Sequence, residues 1–125
     1  MDQINHFTDL DVWKLGHKFV IEIYAITKKF PKHEVFGISS QLQRAASSIT
    51  SNIAEGFSRY SFKDKIRFYY IARGSISECQ NQILIARDIG YIEKETAQKL
   101  LEKAERIRQV LNGLIRSTEK QLIWT

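Results

Sequence analysis

Residues 36–57 read FGISSQLQRAASSITSNIAEGF, and this stretch decides the fold. Ile38, Leu42, Ala45, Ile49, Asn52 and Gly56 recur in alternating steps of four and three. That spacing holds one side of a helix against a neighbour, as the seam of a bundle requires. Ala45, Ala46, Ser47, Ser48 and Ala54 are small, so a second helix can come close. The pattern predicts a helix over about 36–57.

Working outward, three more helices share this logic. Before it, Val12, Phe19, Ile23, Ile26 and Phe30 form one stripe and Leu10, Trp13, Val20 and Tyr24 a second, which predicts a helix over about 9–29 with contacts on two sides. Thr8 is the expected N-cap, Phe7 and Val12 stand as a hydrophobic staple, and Phe30-Pro31 ends the run, since a residue before proline avoids the α region. After it, Ser61 caps a helix over about 62–89, with Asp64 three residues on. Its faces are Phe62, Ile66, Tyr69, Ile76, Ile83 and Phe68, Ala72, Ser75, Cys79, and Gly90 suits a left-handed C-terminal cap. A last helix over about 93–118 carries the seam Ala97, Leu100, Ala104, Ile107, Leu111, Leu114, leaving residues 121–125, with Trp124, as a tail. Short connections favour antiparallel neighbours. The chain therefore reads as all-α: one antiparallel up-down-up-down four-helix bundle over residues 1–125.

Composition narrows the class. With 125 residues, 43% hydrophobic and a single proline, the chain can bury a core without a metal or disulfide staple. No apolar run is long enough to span a bilayer, and the polar N-terminus lacks a secretory pattern. The lone Cys79 cannot form an internal disulfide, so the expected location is cytoplasmic with no membrane partner. The net charge of +5 is uneven: residues 28–73 hold nine Lys/Arg against three Asp/Glu, giving +6. That excess is compatible with a polyanionic partner and equally with plain solubility.

Catalytic signatures are absent. His6, His17 and His33 do not share metal-site spacing, there is no phosphate-binding glycine loop, and Cys79 beside Glu78 is a poor thiolate. Glu55 and Glu78 could be imagined as paired carboxylates, yet Ser58 and Asn81 stand where a di-iron bundle places histidine. No enzyme, no metal and no cofactor are expected. The unusual polar residues are Arg44, Ser48, Asn52 and Glu55 on one edge of the second helix, with Gly74, Ser75 and Glu78 in the third. They read either as a self-satisfied network, Arg44 pairing with Glu78 or Glu55, or as a ligand site. Gly74 in a helix interior is worthwhile where a second helix approaches closely.

Phe7-Thr8-Asp9-Leu10-Asp11-Val12-Trp13, Phe30-Pro31 with Glu34, Arg44-Ala45-Ala46-Ser47-Ser48-Ile49 with Asn52-Ile53-Ala54-Glu55-Gly56, and Gly74-Ser75 with Glu78 resemble the four-helix-bundle family named after the 23S rRNA intervening sequence. The likeness covers about residues 7–118 and departs at Ile92-Glu93, where a Leu and a Ser or Thr cap are the pattern. The family is similar to the accessory variability protein of diversity-generating retroelements, a basic, barrel-shaped pentamer that binds nucleic acid and a reverse transcriptase. The resemblance implies a homo-oligomer, a ring-like pentamer.

Two functional expectations follow. In the first, the chain binds nucleic acid, RNA or DNA, most readily RNA or an RNA–protein complex, through Lys28, Lys29, Lys32, Arg59, Lys63, Lys65 and Arg67, with Tyr60, Tyr69 and Tyr70 as stacking surfaces or as core. In the second, it is a scaffold for a nucleic-acid-associated protein, using the doubled stripe of the first helix and exposed aromatics such as Trp13 or Trp124, with no nucleic-acid contact of its own.

Overall fold

The computed structural model describes residues 3–124, and among them there are four α-helices and no strand: α1 (Asp11–Thr27), α2 (Ile38–Ser58), α3 (Phe62–Asp88) and α4 (Lys94–Trp124). Cross-contacts run in opposite directions along every adjacent pair. Tyr24 meets Ser47 and Thr27 meets Gln43 between α1 and α2. Ser48 meets Ser75 and Gln41 meets Gln82 between α2 and α3. Tyr70 reaches Glu119 and Gln80 reaches Glu105 between α3 and α4, and Lys103 of α4 reaches Glu22 of α1. The bundle is thus antiparallel, each helix packing on the next and α4 closing on α1.

The expected seams fill its core. Leu42, Ile49, Ile53, Ile76, Ile83, Ala97, Ala104 and Leu111 are fully buried, joined by Phe19 and Ile23 from α1. Burying a side chain of Leu or Ile size contributes about 1.5–3 kcal/mol. Asn52 is only half-buried, and Ala46 and Ile53 extend the buried face of α2. Helices α2 and α3 approach closely at Gly56, where a Cβ would lie 2.7 Å from the ring of Tyr69. A bare backbone there lets Tyr69 lie flat between α2 and α3.

The helix ends show where local chemistry overrides periodicity. Thr8 does not cap α1. The Asp9 carboxylate instead accepts the backbone N–H groups of Asn5 and His6, winding Phe7–Asp9 into a 3-10 turn capped by His6, and Leu10 is extended. The α-helix therefore begins at Asp11. At the other end α1 stops at Thr27, and Lys32–Glu34 make a second 3-10 turn. The helix expected from 36 starts at Ile38, with Gly37 as N-cap and Phe36 left in the turn. Ser61 caps α3 by accepting from the Asp64 N–H at 3.1 Å. Gly90 takes φ +87°, and the N–H groups of Gly90 and Tyr91 donate to Arg87 and Ala86, a Schellman closure. Helix α4 runs six residues past the expected 118, to Trp124, its last turns anchored by buried Thr118 and by the Glu119 bond to Tyr70.

Burial also fixes protonation in the core. The Tyr69 phenol and the Cys79 thiol are each pushed up to about 12 by desolvation, with the Glu78 charge adding to the effect at Cys79. The ordinary values are 10.0 and 9.0, so between those and about 12 the folded chain keeps protons that the unfolded chain releases. Stability is then full below pH of about 9 and is lost as pH climbs toward 12. Urea midpoints will hold up to pH of about 9 and fall from there toward about 11, and Tyr69→Phe will make the decline shallower.

Candidate nucleic-acid interface

The seven basic residues read as phosphate contacts do not form one surface. Lys28, Lys29 and Lys32 precede α2, whereas Arg59, Lys63, Lys65 and Arg67 follow it. The 21 residues of that helix span roughly 31 Å at 1.5 Å each, so the two groups lie at opposite ends of the bundle.

Their electrostatic states differ as much as their positions. In the second group Arg59 donates to Glu55 at 2.6 Å and lies over the Phe68 ring. Arg67 pairs with Asp64 at 3.9 Å and covers Phe68 from another side. Lys65 folds back on the end of α2: its ammonium donates to the carbonyl of Phe57 at 2.6 Å and of Gly56 at 3.4 Å, above the Phe57 ring. It satisfies the Phe57 carbonyl at the helix terminus and adds to the Arg59 N–H on that of Gly56, and partial burial lowers its pKa. Lys63 alone is exposed and without an ion pair among the described residues. In the first group Lys28, Lys29 and Lys32 are all exposed and none has an anionic partner among the described residues. Glu34, on the same connection, is engaged by the Tyr91 hydroxyl at 2.7 Å and by His33 at 3.7 Å, and Glu93 borders a hollow with Lys29 without an ion pair to it.

Aromatic groups sharpen the contrast. Beside the free lysines, Phe36 is 95% exposed, an unusual state for a phenylalanine. Sequence periodicity placed Phe36 inside a helix and so hid it. The available signal was Gly37, which suits an N-cap and puts the preceding residue outside. At the opposite end Tyr60 is fully exposed. Tyr69 is core, and Tyr70 is partly exposed with its hydroxyl on Glu119 and its ring beside Arg73. Trp13, expected on the surface, is half-buried, stacked on His17 at 4.7 Å and edge-on to Phe7. The side chain of Trp124 lies outside the described residues.

The polar set on α2 and α3 divides in two. Asn52 donates to the carbonyl and hydroxyl of Ser48, and the Ser75 hydroxyl donates to that of Ser48 at 2.8 Å. This local chain closes the α2–α3 seam. Arg44 reaches neither Glu78 nor Glu55: Arg44 and Glu78 are exposed, and Glu55 is held by Arg59. Gly74 is exposed, with no atom within 4 Å of a Cβ built on it, so the close approach expected there does not occur within the protomer. Among the described residues no three His, Cys, Asp or Glu side chains gather as a metal site.

A family model described as 23S rRNA-intervening sequence protein matches residues 8–113. Among solved structures, the chain is similar to a Bacteroides thetaiotaomicron protein of unknown function from the S23 ribosomal protein family, with a TM-score of 0.78 and 24% identity, covering 83% of this chain and 97% of that one. At that identity the likeness shows a shared fold. No curated protein matches.

Two neighbouring lysines thus have different tasks. Lys65→Ala will lower unfolding stability by about 1–2 kcal/mol, since it strips the Phe57 carbonyl of its donor. Lys63→Ala will leave stability within about 0.5 kcal/mol of the parent. Urea denaturation of both variants checks the difference.

Proposed function

Since the chain belongs to the 23S rRNA-intervening sequence protein family, we propose that it is a non-enzymatic, cofactor-free, homo-oligomeric bundle that binds nucleic acid, RNA or an RNA–protein complex, through the end bearing Lys28, Lys29, Lys32 and Phe36. The observation that carries this reading is the group of three exposed lysines without anionic partners beside an almost fully exposed aromatic ring. Free ammonium groups release counterions when they meet phosphates, which supplies most non-specific affinity. An exposed ring offers a face on which an unpaired base can stack, worth about 1–3 kcal/mol. The opposite end fits the role less well, because Arg59 and Arg67 already meet Glu55 and Asp64 and Lys65 is committed to backbone carbonyls.

An exposed face of α3 suited to self-association supports the same reading. Ile71 and Ile85 are exposed on the outer face of α3, and Gly74 lies between them with open space above it. A mid-helix glycine sacrifices about 1 kcal/mol relative to alanine, and a second protomer packing there would offset that loss. In the pentameric ring that the family resemblance implies, several copies of the lysine end would act together, raising avidity for a long polyanion. Among the described residues no helix is long and apolar enough to cross a membrane. The cytoplasm is the proposed site of action.

Fluorescence anisotropy with a structured RNA containing single-stranded loops tests the nucleic-acid reading. Changing Lys28, Lys29 and Lys32 together to Ala will weaken binding by about tenfold or more and flatten its salt dependence. Phe36→Ala will weaken binding to single-stranded probes more than to duplex. Lys63→Ala will change affinity by about twofold at most. Undetectable binding at low salt, or an unchanged salt slope in the triple variant, would refute the proposal. Light scattering tests assembly: a species larger than a monomer is expected, and Gly74→Leu will shift it toward monomer.

A further inference from the structure

The seam between α1 and α4 is incompletely covered. Three hollows lie in line along it, the first beside the start of α1, the second at its middle, and the third near its end, against the α3–α4 turn. Nine half-buried apolar residues pack on the core of the bundle, and six of them, Leu10, Leu15, Ile26, Tyr91, Val110 and Leu114, line these hollows. Most of the apolar residues that are only partly covered by the core thus lie along this one seam. From Leu10 to Ile26 the seam runs roughly 24 Å along α1, the length of a helix of about 16 residues.

Its charges are ordered along that length. Asp11 borders the first hollow, and at the third Lys29 and Glu93 stand together with cancelling formal charges. The middle hollow has an apolar floor of Leu15, Phe19 and Ile107 and is rimmed by Lys18, Lys103 and Arg106, with Glu22 the one acid. Lys103 and Glu22 pair at 2.7 Å, the only side-chain hydrogen bond between α1 and α4 among the described residues. That pair is self-neutralised. Lys18 and Arg106 are left on opposite rims with no ion pair among the described residues, and Arg106 reaches only Gln109, at 3.5 Å.

We infer that this seam docks an amphipathic α-helix of a partner protein, apolar on one face and carrying Asp or Glu beside its central apolar residues. The elongated run of hollows suits a helix laid along it better than a compact ligand. The two free cations at mid-groove complement acids at the middle of such a helix, whereas Asp11 at one end and the offset Lys29 and Glu93 at the other give acids no such attraction. The inference is separate from the nucleic-acid reading, since its two unpaired cations are Lys18 and Arg106 and the surfaces share only Lys29, at the edge of the third hollow.

The probe is a synthetic helical peptide of about 18 residues, leucine on one face, with glutamates flanking its central turn. A second peptide carries lysines in place of those glutamates. By fluorescence anisotropy with the full chain, the acidic peptide will bind at least about tenfold more tightly than the basic one. The double change Lys18→Glu with Arg106→Glu will reverse that preference, and recovery of binding by the basic peptide shows that the variant is folded. Location is read from Lys18→Cys, whose thiol is the accessible one because Cys79 is fully buried. The acidic peptide will slow its alkylation. Failure of both peptides to bind, or equal binding of both, overturns the inference. So does protection of Lys18→Cys without peptide that grows with protein concentration, which would make a second copy the occupant.

Discussion

The approach of α2 to α3 sets the geometry on which the rest of the bundle depends. At Gly56 the two backbones come close enough that a single methyl group would strike the Tyr69 ring, and at Ser48 and Ser75 two hydroxyls meet at 2.8 Å. Both contacts require small side chains. Between them the flanking isoleucines of α2 and α3 reach the bundle axis and are sealed there. The hydroxyl chain also gives the seam direction: a slip of α3 by one turn would leave Ser75 without Ser48 and force Tyr69 away from Gly56. The slipped Ser75 hydroxyl would keep only the Ile71 carbonyl of its own helix, and the overpacked ring would cost about 1–3 kcal/mol, so register is favoured mainly by Gly56 and Tyr69.

The contrast with the α1–α4 seam follows from side-chain size. Where α2 and α3 meet through Gly, Ala and Ser, α1 and α4 face each other with Leu, Phe, Ile and long cations. Bulky residues hold the two axes apart, and their flanks leave hollows. The bundle thus has one tight side and one open side. Exposed apolar surface in a protein otherwise this well packed is a feature to be explained by a partner rather than by loose folding.

Most of the fold was legible in the sequence because helical periodicity reports burial directly. The buried positions of α2, α3 and α4 are nearly those of the seams, and Ser61 and Gly90 announce their caps by type alone. The failures share a cause: short-range polar chemistry that periodicity ignores. Asp9 captures two upstream N–H groups and delays α1, and Gly37 delays α2 and throws Phe36 into solvent. The division of the basic residues was within reach. Short connections place consecutive turns at opposite ends of a bundle, and Glu55–Arg59 and Asp64–Arg67 stand at pairing distance along a helix. The return of Lys65 onto the Phe57 carbonyl was not, because it depends on how α3 folds back against the end of α2.

Net charge is a poor guide to where a polyanion would bind, and this chain shows why. The segment 28–73 carries +6 by count, yet its cations divide into those already spent on acids, rings and carbonyls and those that are free. A paired arginine must surrender its acid, or bring that acid's charge along, before it can hold a phosphate. An exposed pair is worth only up to about 1 kcal/mol, so the exchange is feasible, but the residual negative charge beside the phosphate remains. A lysine in no ion pair incurs neither penalty. Ranking cations by what they already touch, rather than by how densely they occur, therefore moves the candidate interface from the α2–α3 turn to the α1–α2 turn, where Lys28, Lys29 and Lys32 are exposed and in no ion pair among the described residues and the Phe36 ring on the same connection is 95% exposed.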